Sequence, residues 1–197
     1  MSSQTIDRRE LIARATIGVI EDRGLPNASL RAIARRAGCT TGVLTHYFNN
    51  KDDLIEQALL LALADLEKEW DRASEETNVV SALRSFSYSQ MPIDARLGRK
   101  WSAWQAFVQK KGRYGKVARK LVYMQRESRR KLSSLLARGQ QQGVIRADIA
   151  FDELVDLWNA TVSGHSRLSP YQAGALSRSK VNHLIDTQLE LLRDRTY

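Results

Sequence analysis

The 197-residue sequence has a single cysteine, Cys39, which excludes an internal disulfide framework. Its three histidines, His46, His165 and His183, are dispersed and give no metal-ligand spacing, so neither a metal nor any other cofactor is expected. Three prolines and eleven glycines are too few for collagen-like or low-complexity chain. No apolar run approaches the ~18 residues of a membrane span. The stretch from Met1 to Glu10 is polar and mixed in charge, with no apolar centre that could serve as a secretory signal. There is also no nucleophile motif, catalytic carboxylate pair, phosphate loop or metal cluster, so an enzyme is not expected. What remains is a folded cytoplasmic protein with no membrane partner.

The chain does have charge, with a net +9 that favours a polyanionic partner. Its distribution says more than its sum. Residues 1–51 carry eight basic and four acidic side chains (+4), and residues 52–94 carry three and ten (−7). Residues 95–147 carry fifteen and one (+14), and residues 148–197 five and seven (−2). Two basic segments thus compete as a nucleic-acid face, and local pattern has to choose between them.

A first helix is predicted from about Asp7, because Asp7-Arg8-Arg9-Glu10 fits a capping box and Leu11, Ile12, Ala15 and Val19 recur at helical spacing. Gly24 and Pro26 stop it. Ser29 is a natural N-cap for a short helix with Leu30, Ile33, Ala34 and Ala37 inward, ended by Gly38. Thr40 can cap a third helix whose inner side is Val43, Leu44, Tyr47 and Phe48, and whose other side shows Thr41, Gly42, Thr45 and His46. Asn50-Lys51-Asp52-Asp53 opens a fourth, strongly apolar helix. The remainder reads as helix near Val79 to Gln90, Asp94 to Lys110, Tyr114 to Gln142, Phe151 to Arg167 and Ser179 to Arg193. The breaks fall at Pro92, Gly112, Gly143 and the Ser169-Pro170…Gly174 stretch. No alternating strand competes, so the fold class is all-α.

Two short helices joined by a glycine-containing turn, the second with small polar residues outward, make a helix-turn-helix. The major groove is ~12 Å wide and admits one helix, and its base edges offer atoms that threonine, histidine and arginine can read. Gly42 contributes by lacking a side chain, which lets the helix approach base edges closely. Lys51, at the start of the fourth helix, is placed to hold a phosphate together with the free backbone amides there.

From Arg8 to Leu63 the sequence resembles the N-terminal domain of the TetR family of bacterial transcriptional regulators. The likeness is densest in Ser29-Leu30-Arg31-Ala32-Ile33-Ala34 and in the run from Gly38 through Thr41-Gly42-Val43-Leu44-Thr45-His46-Tyr47-Phe48 to Leu54. The Thr-His-Tyr-Phe run is similar to the subgroup of choline-responsive betaine-synthesis repressors. The resemblance implies a helix-turn-helix DNA-binding domain over 1–52. It implies a larger helical domain over 53–197 that binds a small-molecule effector and forms a homodimer on a palindromic double-stranded operator. It implies base or nearby contacts from Arg31, Thr41, Gly42, Thr45 and His46, with phosphate contacts from Ser29, Tyr47 and Lys51. One position departs, since the family usually has tyrosine where this chain has Thr45, and the backbone contact of that tyrosine does not carry over.

All four tryptophans lie beyond the fourth helix's start. Trp101 and Trp104 share a helix side, Trp158-Asn159 sets a ring beside an amide, and with Phe86 and Tyr123 these are the candidate effector pocket. Phe151, Leu154, Val155, Trp158 and Val162 repeat at helical spacing, as do Val181, Leu184, Ile185, Leu189 and Leu192. These two stripes are candidates for a dimeric four-helix bundle, with internal packing as the rival. The basic stretch from Arg96 to Arg146 is unexplained by family likeness. Its plain reading is a solvated helix face, and the rival function for the whole chain is a protein that coats DNA without reading bases.

Overall fold

The computed structural model describes residues 7–91, 95–111, 115–168 and 178–193. Among these residues the chain forms nine α-helices and no strand, apart from an isolated bridge between Ile145 and Arg193. The helices are α1 (Arg8–Arg23), α2 (Leu30–Arg36), α3 (Thr41–Tyr47), α4 (Lys51–Glu75), α5 (Val79–Ser89), α6 (Ala95–Lys111), α7 (Lys116–Gln141), α8 (Phe151–Leu168) and α9 (Arg178–Leu192). The all-α expectation holds. Pro92, Gly112 and the Ser169 to Gly174 stretch, expected as breaks, lie outside the described residues.

Local chemistry accounts for the first boundaries. The Asp7 carboxylate accepts the Arg9 amide at 3.0 Å and starts α1. Gly24 ends it at φ 77°, a conformation that costs glycine least, while its N–H returns to the Ile20 carbonyl. Ser29 Oγ accepts from the Ala32 amide at 3.2 Å and starts α2. At the head of α4, Asn50 Oδ1 accepts the Asp53 amide at 2.9 Å, and the Asp53 carboxylate accepts the Asn49 amide at 3.1 Å. This reciprocal pair fixes both the turn and the start of the helix. Thr40 is a correction. It occupies the N-cap of α3 with extended backbone, but its hydroxyl makes no capping bond.

The chain divides into two compact units, and the boundary runs through helices rather than between them. The first unit holds the residues up to Asp65 together with Arg99–Leu121, and the second holds Leu66–Gly98 and the chain from Val122 onward. The 25-residue α4, about 37 Å long at 1.5 Å per residue, contributes to both.

The core of the first unit is built on Ile12, Ile20, Ile33, Leu44, Phe48, Leu54 and Leu59, all buried. That of the second is built on Trp70, Leu83, Phe86, Leu132, Leu136, Trp158 and Ile185. In the second unit the Arg138 guanidinium donates to the carbonyls of Ser74, at 3.1 Å, and Glu76, at 2.8 Å. It thereby satisfies backbone acceptors at the end of α4.

Gly139 marks the tightest approach in this unit, since a Cβ built there would lie 2.7 Å from Ile145 Cγ1 and 3.4 Å from its Cβ. Ile145 is buried and Gly139 sits in a helix, so neither can move aside freely. Gly139→Val is therefore expected to cost about 1 to 3 kcal/mol of stability through overpacking. Chemical denaturation should show a lower midpoint with an unchanged slope.

Candidate nucleic-acid interface

The helix-turn-helix lies wholly in the first unit. After α2, Gly38 turns the chain at φ 64° and the Cys39 amide returns to the Ala34 carbonyl at 3.0 Å. These bonds fix where α3 begins. Leu44 and Phe48 are buried against the core, and Val43 and Tyr47 are half-buried. The opposite side presents Thr41, Gly42, Thr45 and His46, all exposed. Nothing within this unit covers that edge.

Individual side chains on it are already partly committed. The Thr45 hydroxyl donates to the Gly42 carbonyl at 3.0 Å. The His46 ring stands edge-on to Tyr47, with centroids 5.0 Å apart and planes at 83°. Around Gly42 the nearest heavy atom to a built Cβ is Thr40 Oγ1 at 3.7 Å, so space within the protein does not demand glycine there.

Arg31 and Ser29 are exposed on α2, although the Ser29 oxygen already accepts the capping bond. Lys51 is half-buried at the first position of α4. Arg9, which sequence reasoning did not single out, is also here: its guanidinium lies 5.0 Å from the centroid of the Phe48 ring, at the end of α3. The cation is exposed and adjoins the 46–51 segment. Only tertiary proximity reveals this, because Arg9 and Phe48 are 39 positions apart in the chain.

The sequence pattern of the bacterial regulatory proteins, tetR family, matches residues 12–58 of this chain, the segment that builds α1 to α3 and the first turns of α4. Over these residues the chain is similar to the TetR family. HTH-type transcriptional regulator BetI 1 of Chromohalobacter salexigens is 46% identical over 66 residues, which is 34% of this chain and 32% of that protein. BetI of Paraburkholderia phytofirmans is 31% identical over 105 residues, 51% of this chain and 52% of its own length. The chain thus spans from a third to about half of the length of these curated relatives. A protein from Saccharomonospora viridis solved in complex with choline shares the fold over 93% of this chain and 94% of its own. The TM-score is 0.70 and the identity 21%.

Outside the segment matched by that pattern, several cations of the basic stretch are paired locally. In the first unit Lys100 Nζ is 3.6 Å from the buried Glu21 carboxylate, Arg99 donates to the Glu21 carbonyl, and Lys116 is 3.8 Å from Glu56. In the second, Arg129 pairs with Asp156, Lys131 with Asp71, Arg146 with Asp148, and Arg130 with Glu127 at 2.9 Å. The hydrogen bond from Arg130 holds the Glu127 carboxyl below its ordinary value, and that from Arg146 does the same for Asp148. A depressed folded value means that these pairs contribute above the unfolded carboxylate range and are lost as pH falls. The side chains of Arg96, Lys110, Lys111 and Arg113 lie outside the described residues.

The aromatic candidates fall into both units. Trp101 and Trp104 are in the first, edge to face at 5.1 Å, with Trp104 buried. Phe86 and Trp158 are in the second and fully buried, and Trp158 Nε1 donates to the buried Ser87 hydroxyl at 3.1 Å. Trp70, which was not among the pocket candidates, lies 5.8 Å from Phe86, and its buried Nε1 has no protein partner. Asn159 is half-buried, whereas Tyr123 is 50% exposed on α7.

The proposed dimer stripes behave as core of the single chain. Leu154, Val155, Trp158, Val162, Val181, Ile185, Leu189 and Leu192 are buried by its own helices, and Phe151 and Leu184 are half-buried. Among the described residues, the large apolar side chains left outward on these two helices are Leu157, 51% exposed, and Leu191, 62% exposed.

Proposed function

We propose that the chain is a transcriptional repressor that reads a palindromic operator as a homodimer and is released by a small-molecule effector. The carrying observation is the exposed edge from Thr41 to His46, held on a short helix whose other side is anchored by Leu44 and Phe48. In this reading Thr41, Gly42, Thr45 and His46 face base edges, with Arg31 beside them. Ser29, Tyr47, Lys51 and Arg9 touch phosphates and set the register. Lys51 is half-buried at the first position of α4, where a phosphate would also meet the helix's free amides.

In this reading a second copy packs on the outward apolar side chains of α8 and α9, Leu157 and Leu191, rather than on the stripes that the chain already covers. A palindromic operator requires the two α3 helices about 34 Å apart, one turn of duplex. The effector reading places a ligand in the second unit against Trp70, Phe86 and Trp158. The unpartnered Trp70 Nε1 and the Ser87 hydroxyl would supply its polar contacts. The choline complex of the Saccharomonospora viridis protein supports a quaternary amine, which aromatic faces hold by cation–π attraction. Trp101 and Trp104 are then packing residues of the first unit. The rival, a DNA-coating protein using the basic middle segment, has less behind it, since Arg129, Arg130 and Lys131 of that segment sit beside carboxylates of the chain itself.

Selecting bound duplexes from a random pool tests the reading. A symmetric, two-half-site consensus is expected, and binding should survive excess random duplex. His46→Ala should lower preference at one base-pair position of each half-site by ~1 to 3 kcal/mol, whereas Lys51→Ala should weaken all duplexes alike and reduce the salt slope by about 1. A pool that emerges without consensus, or equal losses across sequences for both variants, would overturn it.

A further inference from the structure

Within the second unit, a cleft of about 200 Å³ opens between α5, the segment after α7 and the C-terminal half of α9. Its floor is apolar, formed by Val80, Val144, Ile145 and Leu189. Its rim carries four charges in two opposed pairs. Arg84 of α5 donates to Asp186 of α9, and Arg193 stands 3.2 Å from Glu190.

The walls are tied together rather than loosely apposed. The Arg146 amide donates to the Leu192 carbonyl at 2.8 Å, Gln140 Nε2 donates to the Arg146 carbonyl at 3.1 Å, and Ile145 bridges to Arg193. Ile145 is also wedged against Gly139, where no side chain would fit without displacing it. The cleft is therefore preformed, and a ligand entering it would not have to order it.

We propose that this cleft is a binding site for a small zwitterion of the α-amino-acid type with an aliphatic side chain. Its carboxylate takes a guanidinium of the rim, its ammonium takes a carboxylate, and its side chain lies on Val80, Ile145 and Leu189. Rim charge decides the class. Both pairs are at least a third exposed, so water competes well with them and either half can be exchanged. A simple anion that captured an arginine would leave the carboxylate beside it facing a like charge, and a simple cation would do the reverse. A neutral apolar molecule would cover charged groups without pairing them. A ligand that brings both signs can insert into one pair, its carboxylate on Arg84 and its ammonium on Asp186, and strands neither. Size points the same way, since the volume lies below the ~300 Å³ at which pockets for larger ligands begin. This inference stands apart from DNA reading and from the aromatic cluster of Trp70, Phe86 and Trp158.

The test titrates the full chain with L-leucine, followed by saturation-transfer NMR, with L-leucinamide and 4-methylpentanoate as its single-charge counterparts. Leucine should bind with a dissociation constant on the order of 1 mM, as expected for a ligand of about nine non-hydrogen atoms, and each counterpart at least about tenfold more weakly. Val80→Phe fills the floor without touching a charge, and Arg84→Gln removes a partly exposed cation whose loss does not threaten the fold. Each should lower leucine affinity about tenfold or more with the melting temperature retained. The proposal is overturned if leucine gives no signal at roughly 20 mM. Equal binding of the three compounds would also overturn it, as would Arg84→Gln folding normally and binding leucine like the parent.

Discussion

Gly42→Ala is expected to leave the protein folded and slightly more stable while weakening its hold on cognate DNA by roughly ten- to a hundredfold. The two effects have opposite signs because they belong to different links. Within the protein, glycine in a helix costs about 0.5 to 1 kcal/mol relative to alanine, and the added methyl meets nothing closer than ordinary contact. Outside it, the methyl stands on the edge proposed to enter the groove, where it holds the helix axis away from Thr41, Thr45 and His46 contacts worth ~1 to 3 kcal/mol each. Thermal unfolding and equilibrium DNA binding on the same preparation measure both. If affinity is unchanged while stability rises, α3 does not approach the bases, and the assignment of this edge fails.

The second large effect lies in the core. Trp158→Ala is expected to cost about 3 to 5 kcal/mol, a substantial part of the ~5 to 15 kcal/mol by which a domain is stable. The ring is fully buried, so the loss combines removed apolar contact with a void that the surrounding helices can only partly close. Trp158→Phe separates the two contributions to this site. It keeps most of the packing but strands the Ser87 hydroxyl, which is completely buried, at a cost of about 1 to 3 kcal/mol. Adding Ser87→Ala should then recover part of the loss, since removing both partners of a buried hydrogen bond is far cheaper than removing one. Denaturant unfolding of the four proteins in this cycle reads the coupling directly. A strictly additive result would show that the indole and hydroxyl do not depend on each other.

Much of the fold was legible because its boundaries are written locally. Asp7, Ser29 and Asn50 each place a polar side chain where the first amides of a helix need an acceptor, and Gly24 and Gly38 supply the turns. Such signals act over three or four residues and need no knowledge of the rest of the chain. Thr40 shows the limit, since a capping residue type in a capping position still leaves its hydroxyl unused.

The outward edge of α3 was legible for a related reason: periodicity says which residues share a side, and small polar residues on one side of a short helix leave little doubt about which side is inner. What covers an apolar side is another matter. The stripes on α8 and α9 carry the same pattern whether they meet a partner or their own neighbours, and here the chain's own helices bury them. The basic middle segment was opaque for the same reason. Whether Arg129 or Lys131 faces solvent or a carboxylate depends on which helix lies alongside, and Asp156 and Asp71 are distant in sequence. Arg9 against Phe48 belongs with these, a contact between residues whose local patterns say nothing of each other.

The bond from Thr45 to the Gly42 carbonyl has a consequence for which letters this protein can prefer. On the proposed interface, with its proton on the Gly42 carbonyl, the hydroxyl would meet a base only through oxygen lone pairs, and so would complement the exocyclic amines of adenine and cytosine and not the keto groups of guanine and thymine. At a step opposite Thr45 the choice of base would then be narrowed by the helix's own backbone.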